Sequence, residues 1–218
     1  MKKLLLLFTL LAVMTTVQAQ FGAGADVVSR YVWRGTDFGE SAAVQPALTY
    51  TYEGLEIGAW GSYSISADGA GANENDLYVS YTYDDLTLAV TDYYFPAPGT
   101  YHMFEFSPDS SYNLIEVSGA YSYNSLSLLA AVLVTGDFDA AGEKRNSIYA
   151  EAAYEFSLPE EVTLDLIAGI GNEIYVLNDK GDFGLVNLGC TLSKGMFSTS
   201  LIFNVEAETR YLVFSASF

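Results

Sequence analysis

The stretch Ile148-Tyr149-Ala150-Glu151-Ala152-Ala153-Tyr154-Glu155-Phe156-Ser157-Leu158 decides the fold. Its even positions are apolar or aromatic without exception, and the odd ones include Glu151, Glu155 and Ser157. A helix would also put Glu151 and Glu155 on one face. It could not gather Ile148, Ala150, Ala152, Tyr154, Phe156 and Leu158 on the other, so a period of two, and a strand, is required.

The same alternation extends through the chain. Phe197, Thr199, Leu201, Phe203 and Val205 oppose Ser198, Ser200, Ile202 and Asn204. Leu55, Ile57, Ala59, Gly61, Tyr63 and Ile65 oppose Glu56, Gly58, Trp60, Ser62 and Ser64. Strands are predicted near 24–33, 42–53, 55–66, 76–83, 86–95, 112–123, 126–135, 146–158, 162–172, 183–193, 196–205 and 210–218. Each is roughly ten residues, the length of a tilted membrane crossing. Tight turns fall at Glu53-Gly54, Asp84-Asp85, Asn124-Ser125, Pro159-Glu160-Glu161 and Lys194-Gly195, and longer loops occupy about 34–41, 67–75, 96–111, 136–145 and 173–182. Turns at one end and loops at the other predict a transmembrane antiparallel up-and-down β-barrel of about twelve strands, with the termini on the turn side. A β-sandwich alternates too, but its strands are usually shorter.

The start of the chain has a different character. Lys2 and Lys3 precede an apolar run from Leu4 to Val13, and Val17-Gln18-Ala19 fits the small-residue pattern before a cut. Residues 1–19 therefore read as an export signal, too short to span a bilayer, and residues 20–218 as the barrel. An exported barrel is expected in the bacterial outer membrane.

Composition narrows the function. The chain has 27 acidic and 9 basic residues, and Lys2 and Lys3 are among the nine. Such a balance lacks the basic footprint that nucleic acid demands. A single cysteine, Cys190, excludes an internal disulfide and a cysteine-based zinc site. A single histidine, His102, excludes any site needing two imidazoles. Serine–histidine chemistry would have to join His102 to Ser107, Ser110 or Ser111, and no motif frames them. Pairing His102 with Asp92 or Asp109 has no better support, so an enzyme is not expected. No cofactor is called for, and no loop has the glycine-centred spacing of a dedicated calcium site. The outer-loop acids, Glu74 among them, read as solvated charge able to meet lipopolysaccharide-bridging cations.

A barrel in lipid turns its apolar set outward and its polar set into the lumen. That assigns Asp26, Arg30, Arg34, Glu56, Glu116, Glu151, Glu155 and Asp165 inward. These charges suit a water-filled, slightly cation-favouring pore for ions or small polar solutes. The alternative is a closed structural or interaction barrel, its lumen filled by Arg–carboxylate pairs; the width of twelve strands favours the pore. Asp92 falls in phase with Leu86, Leu88 and Val90, so it sits at a bulge or at the outer interface. The longest loop, 96–111, is read as a surface loop, with an inward constriction as the alternative.

Two resemblances add to this. The ending Leu212-Val213-Phe214-Ser215-Ala216-Ser217-Phe218 resembles the terminal signal read by barrel-assembly machinery, which implies that machinery as a partner through Phe218. Ser29-Arg30-Tyr31-Val32-Trp33-Arg34-Gly35 resembles the opening of the TorF-like porin family, first catalogued as of unknown function, and Gly58-Ala59-Trp60-Gly61-Ser62 resembles its second hairpin. The resemblance implies an outer-membrane barrel with a porin-like role, and it names no solute.

Overall fold

The computed structural model describes residues 19–66, 70–96, 103–104, 113–139, 142–176 and 182–218. Residues 1–18 of the expected export signal lie outside them, as do His102 and most of 96–111. Among the described residues no helix is long and apolar enough to cross a membrane. The strands are β1 (Gln20–Val28), β2 (Val32–Trp33), β3 (Thr36–Asp37), β4 (Ala43–Tyr52), β5 (Leu55–Ser64), β6 (Glu74–Tyr83), β7 (Leu86–Tyr94), β8 (Asn113–Tyr123), β9 (Leu126–Thr135), β10 (Ile148–Leu158), β11 (Val162–Gly171), β12 (Gly184–Lys194), β13 (Phe197–Asn204) and β14 (Thr209–Ser217). Twelve of them close into one antiparallel barrel, β4 to β14 in chain order with β1 between β14 and β4. The remaining two, β2 and β3, pair only with each other.

Closure follows from alternation combined with turn chemistry. The turn at Glu53 and Gly54 has φ of 45° and 84°, the doubly left-handed geometry that matches strand twist in a two-residue hairpin. Asp84 and Asn124 open their turns with φ of 49° and 52°. The last tight turn is Gly195-Met196, one residue beyond the expected pair, because β12 continues through Lys194. At the seam, β1 pairs with β14 over Asp26–Ser217, Val27–Ala216 and Val28–Ser215. One step further toward the turn end, Phe218 exchanges both backbone hydrogen bonds with Ala25.

Burial is the inverse of a water-soluble domain. Leu48, Ile57, Leu88, Leu166 and Leu212 are exposed on the outer wall, while Glu74, Asp76, Glu116, Asn187 and Asn204 are buried. Tyr81, Tyr83, Tyr121, Tyr123, Tyr154, Phe156 and Phe197 stand exposed near the turn end, outward by register, and form an aromatic band. An apolar belt edged by aromatic residues thus runs along the outer wall.

Eleven barrel strands start and end within about two residues of the expected bounds, and the first does not. It was expected at 24–33, but β1 starts at Gln20 and ends at Val28. The alternation continues past Val28, which is why a longer strand reads naturally. Arg34 and Gly35, with φ of 50° and 79°, instead fold 32–37 into a separate hairpin. Asp92 shows no bulge: β7 pairs continuously with β6 and β8 there. It lies two residues from the loop end of β7, buried, and accepts a hydrogen bond from Asn113 at 2.8 Å.

Candidate functional site

The β2–β3 hairpin, with its flanks at 29–42, fills the loop end of the lumen. Its residues reach the wall on every side. Tyr31 packs against Trp60 of β5 at 5.7 Å between ring centres and donates a hydrogen bond to Glu74 of β6 at 2.7 Å. Trp33 meets Tyr93 of β7 at 5.5 Å. On the far side, Asn204 of β13 donates to the Gly35 carbonyl at 3.3 Å, and Arg30 lies 5.9 Å from the Tyr211 ring of β14.

Arg34 holds the centre. Nη1 donates to Glu116 Oε2 at 2.6 Å and Nη2 to Oε1 at 2.9 Å, a forked pair with side-chain exposures of 9% and 3%. Nη1 also reaches the Tyr175 hydroxyl at 2.7 Å. The guanidinium carbon lies 4.4 Å from the ring centres of both Trp33 and Tyr149. Burial works against this charge, but the hydrogen bonds to Glu116 more than offset it, and Arg34 is held above the ordinary arginine pKa. The Tyr31 hydroxyl is likewise held in its neutral, donating form: burial, then the Glu74 charge, pushes its pKa up.

Local backbone features make room for this arrangement. Register shifts occur between Ile115 and Glu116 and between Gly169 and Ile170, beside the Arg34 partner and opposite the β12 segment that the hairpin tip touches. Bulges re-aim side chains in this way. A Cβ at Gly35 would lie 1.8 Å from the Val186 carbonyl oxygen, so glycine alone permits that approach. Tyr149 lies over Gly169, where a Cβ would meet its hydroxyl at 2.1 Å.

The rest of the inward wall is lined by small and polar residues, with carboxylates among them at several depths. Asp26 is level with Gln45 and Ser217. Glu56 accepts a hydrogen bond from Tyr78 at 2.8 Å. Glu151 accepts one from Tyr149 and one from Asn187, the latter at 3.1 Å. Glu155 and Asp165 are directly opposed on β10 and β11. Among the described residues every charged side chain that the barrel strands turn inward is acidic, because Lys194 and Arg210 share the register of outward Val162 and Phe203.

The expected site residues thus divide. Asp26, Glu56, Glu116, Glu151, Glu155 and Asp165 lie on inward strand positions. Arg30 and Arg34 are not on the first strand, as expected from the sequence, but on the hairpin inside the barrel, and Arg30 pairs with Asp37 of the same hairpin. Glu74 is no solvated loop acid; it is 2% exposed on β6 beside Asp76. Asp76 was legible as inward, since it alternates with Tyr78, Ser80 and Thr82. Tyr175 follows no strand period and could not have been read. Met103 lies outside the lumen, lining a groove of about 380 Å3 on the outer wall with Pro46, Leu48, Tyr63 and Leu77.

The fold and its contents define a class: a closed 12-strand antiparallel barrel carrying its first loop-end hairpin inside. The chain belongs to the family described as bacterial protein of unknown function (Gcw_chp), which matches residues 14–215. No curated protein matches it.

Proposed function

We propose that the protein is an outer-membrane channel, narrow and cation-favouring, whose loop end is held shut at rest by the 29–42 hairpin. The observation that carries this reading is the sign of the lumen wall: its inward strand charges are Asp26, Glu56, Glu74, Asp76, Glu116, Glu151, Glu155 and Asp165, and among the described residues no inward strand position is basic. A low-dielectric tube lined by one sign of charge concentrates counter-ions, here cations. The apolar outer wall and aromatic band support residence in the outer membrane, in contact with its lipid and lipopolysaccharide, and the TorF-like opening supports a porin-like role. Ions and small polar solutes are the cargo this lining suits. Phe218, exposed beside the seam, is the contact offered to assembly machinery. Catalysis has no place in this proposal.

The second reading is a barrel permanently closed and used for interaction, and the buried Arg34–Glu116 pair favours it. Conductance in a planar bilayer under a salt gradient separates the two. Wild type should show rare, small, cation-selective openings, and a variant lacking residues 30–38 should conduct persistently with the same selectivity. A deletion variant that keeps heat-modifiable gel mobility, the mark of a folded barrel, yet stays silent would overturn the channel.

A further inference from the structure

Charge does not balance at the hairpin's base. Glu74 and Asp76 are neighbours on the inward face of β6, 2% and 7% exposed, and their carboxyl groups are in contact. Tyr31 serves Glu74. Asp76 Oδ1 is fully buried and receives no hydrogen bond. The charges that act most strongly on Asp76 are those of Glu74, Asp92 and Glu116, all negative. The buried guanidinium of Arg34 is committed through both Nη atoms to Glu116.

Two touching carboxylates, removed from water with no counter-charge, are each disfavoured as ions. A single shared proton would cancel half of the charge and a divalent ion all of it. We propose that Glu74 and Asp76 form a binding site for a hard divalent cation of the Ca2+ type, set in the wall behind Tyr31. Hard cations take carboxylate and water oxygens, and two carboxylates offer up to about four. No third acid joins the pair among the described residues, so the affinity belongs to the weak class, with Kd about 0.1–1 mM. Bound there, the ion would fix Glu74 and through it Tyr31, which fastens the hairpin to β6. The site stands apart from the channel reading, since it requires binding and not conduction.

The test uses the refolded full chain in zwitterionic vesicles. Terbium stands in for Ca2+ and is excited through Trp60, which is in register with Asp76 on the adjacent strand. Wild type should give sensitised emission that millimolar Ca2+ displaces, and Glu74→Gln and Asp76→Asn should lose it while retaining heat-modifiable mobility. Ca2+ should also raise the temperature of the mobility shift in wild type and in Asp85→Asn, a change in the exposed β6–β7 turn, but not in Asp76→Asn. Emission unchanged in both variants would place the ion elsewhere and overturn the site. No Ca2+-displaceable emission, with Asp76→Asn at least as heat-stable as wild type, would overturn it in favour of a shared proton.

Discussion

Arg34 and Glu116 are 82 residues apart in the chain and meet in a forked pair that crosses the lumen, with contacts of 2.6 and 2.9 Å. One partner belongs to the hairpin and the other to the barrel wall, so the pair fastens the hairpin to β8. Removing one member leaves the other charged and buried without its counter-charge.

Breaking such a pair from one side costs about 3–5 kcal/mol, whereas replacing both members by apolar groups is often neutral. Glu116→Leu and Arg34→Met should therefore each lower the temperature of the heat-modifiable transition clearly, and the double variant should recover most of the loss. The three transitions, measured side by side in one lipid, give the coupling. A double variant no more stable than the worse single one would mean that the two side chains do not depend on each other.

Gly35 tests whether the hairpin is seated by backbone fit. Its φ of 79° and the 1.8 Å approach of a built Cβ to the Val186 carbonyl oxygen both forbid alanine in place. Gly35→Ala should displace the hairpin tip while the barrel still closes, because no barrel strand contains residue 35. Trp33, packed on Tyr175 and Tyr93, should then shift its fluorescence to the red in a Trp60→Phe background. An unchanged spectrum would show that the tip holds its place without the close approach.

What was legible in the sequence was whatever repeats with a period of two. The Ile148–Leu158 strand announces both its faces, and Glu151, Glu155 and Asp165 follow from it and its neighbours without reference to anything distant. The hairpin was misread because Tyr31, Trp33 and Gly35 keep the alternation of β1 running, and the break depends on two left-handed residues, only one of them glycine. An Arg-Gly pair between alternating residues is a turn signal, and it was the one available clue. That Arg34 meets Glu116 and Tyr175 was beyond reach, since register around a closed barrel fixes which strands stand opposite each other. Glu74 was hidden for a similar reason: Tyr31 of the hairpin base bonds to it, and nothing in its own segment signals that contact.

If the lumen conducts, its selectivity should depend on the carboxylates nearer the turn end. Glu155 is exposed within that space and Asp165 stands opposite it. Replacing both by the amides, Glu155→Gln with Asp165→Asn, in the variant lacking residues 30–38 should move the reversal potential toward zero and lower the conductance of cations. The effect should fade above about 1 M salt, where the screening length falls to about 3 Å. Selectivity indifferent to both substitutions would locate the filter at the hairpin end.

The direction of the barrel wall can be tested at a single depth. Val90 is exposed and flanked in register by Val79 and Val117, three valines in a row on the outer face. Ala89, the next residue, turns inward between Ser80 and Ser118. An arginine at Val90 would stand in hydrocarbon and cost about 2–4 kcal/mol near the bilayer midplane. At Ala89 the same side chain would face the acidic lumen, where Glu56 lies level with Ser80 on the adjoining strand. Val90→Arg should therefore refold poorly into lipid vesicles, and Ala89→Arg should refold close to wild type. In detergent micelles, which deform around a charge, the gap between them should narrow. Equal refolding of the two in lipid would remove the bilayer as the solvent of the outer wall, and the reverse order would place the lumen on the other face.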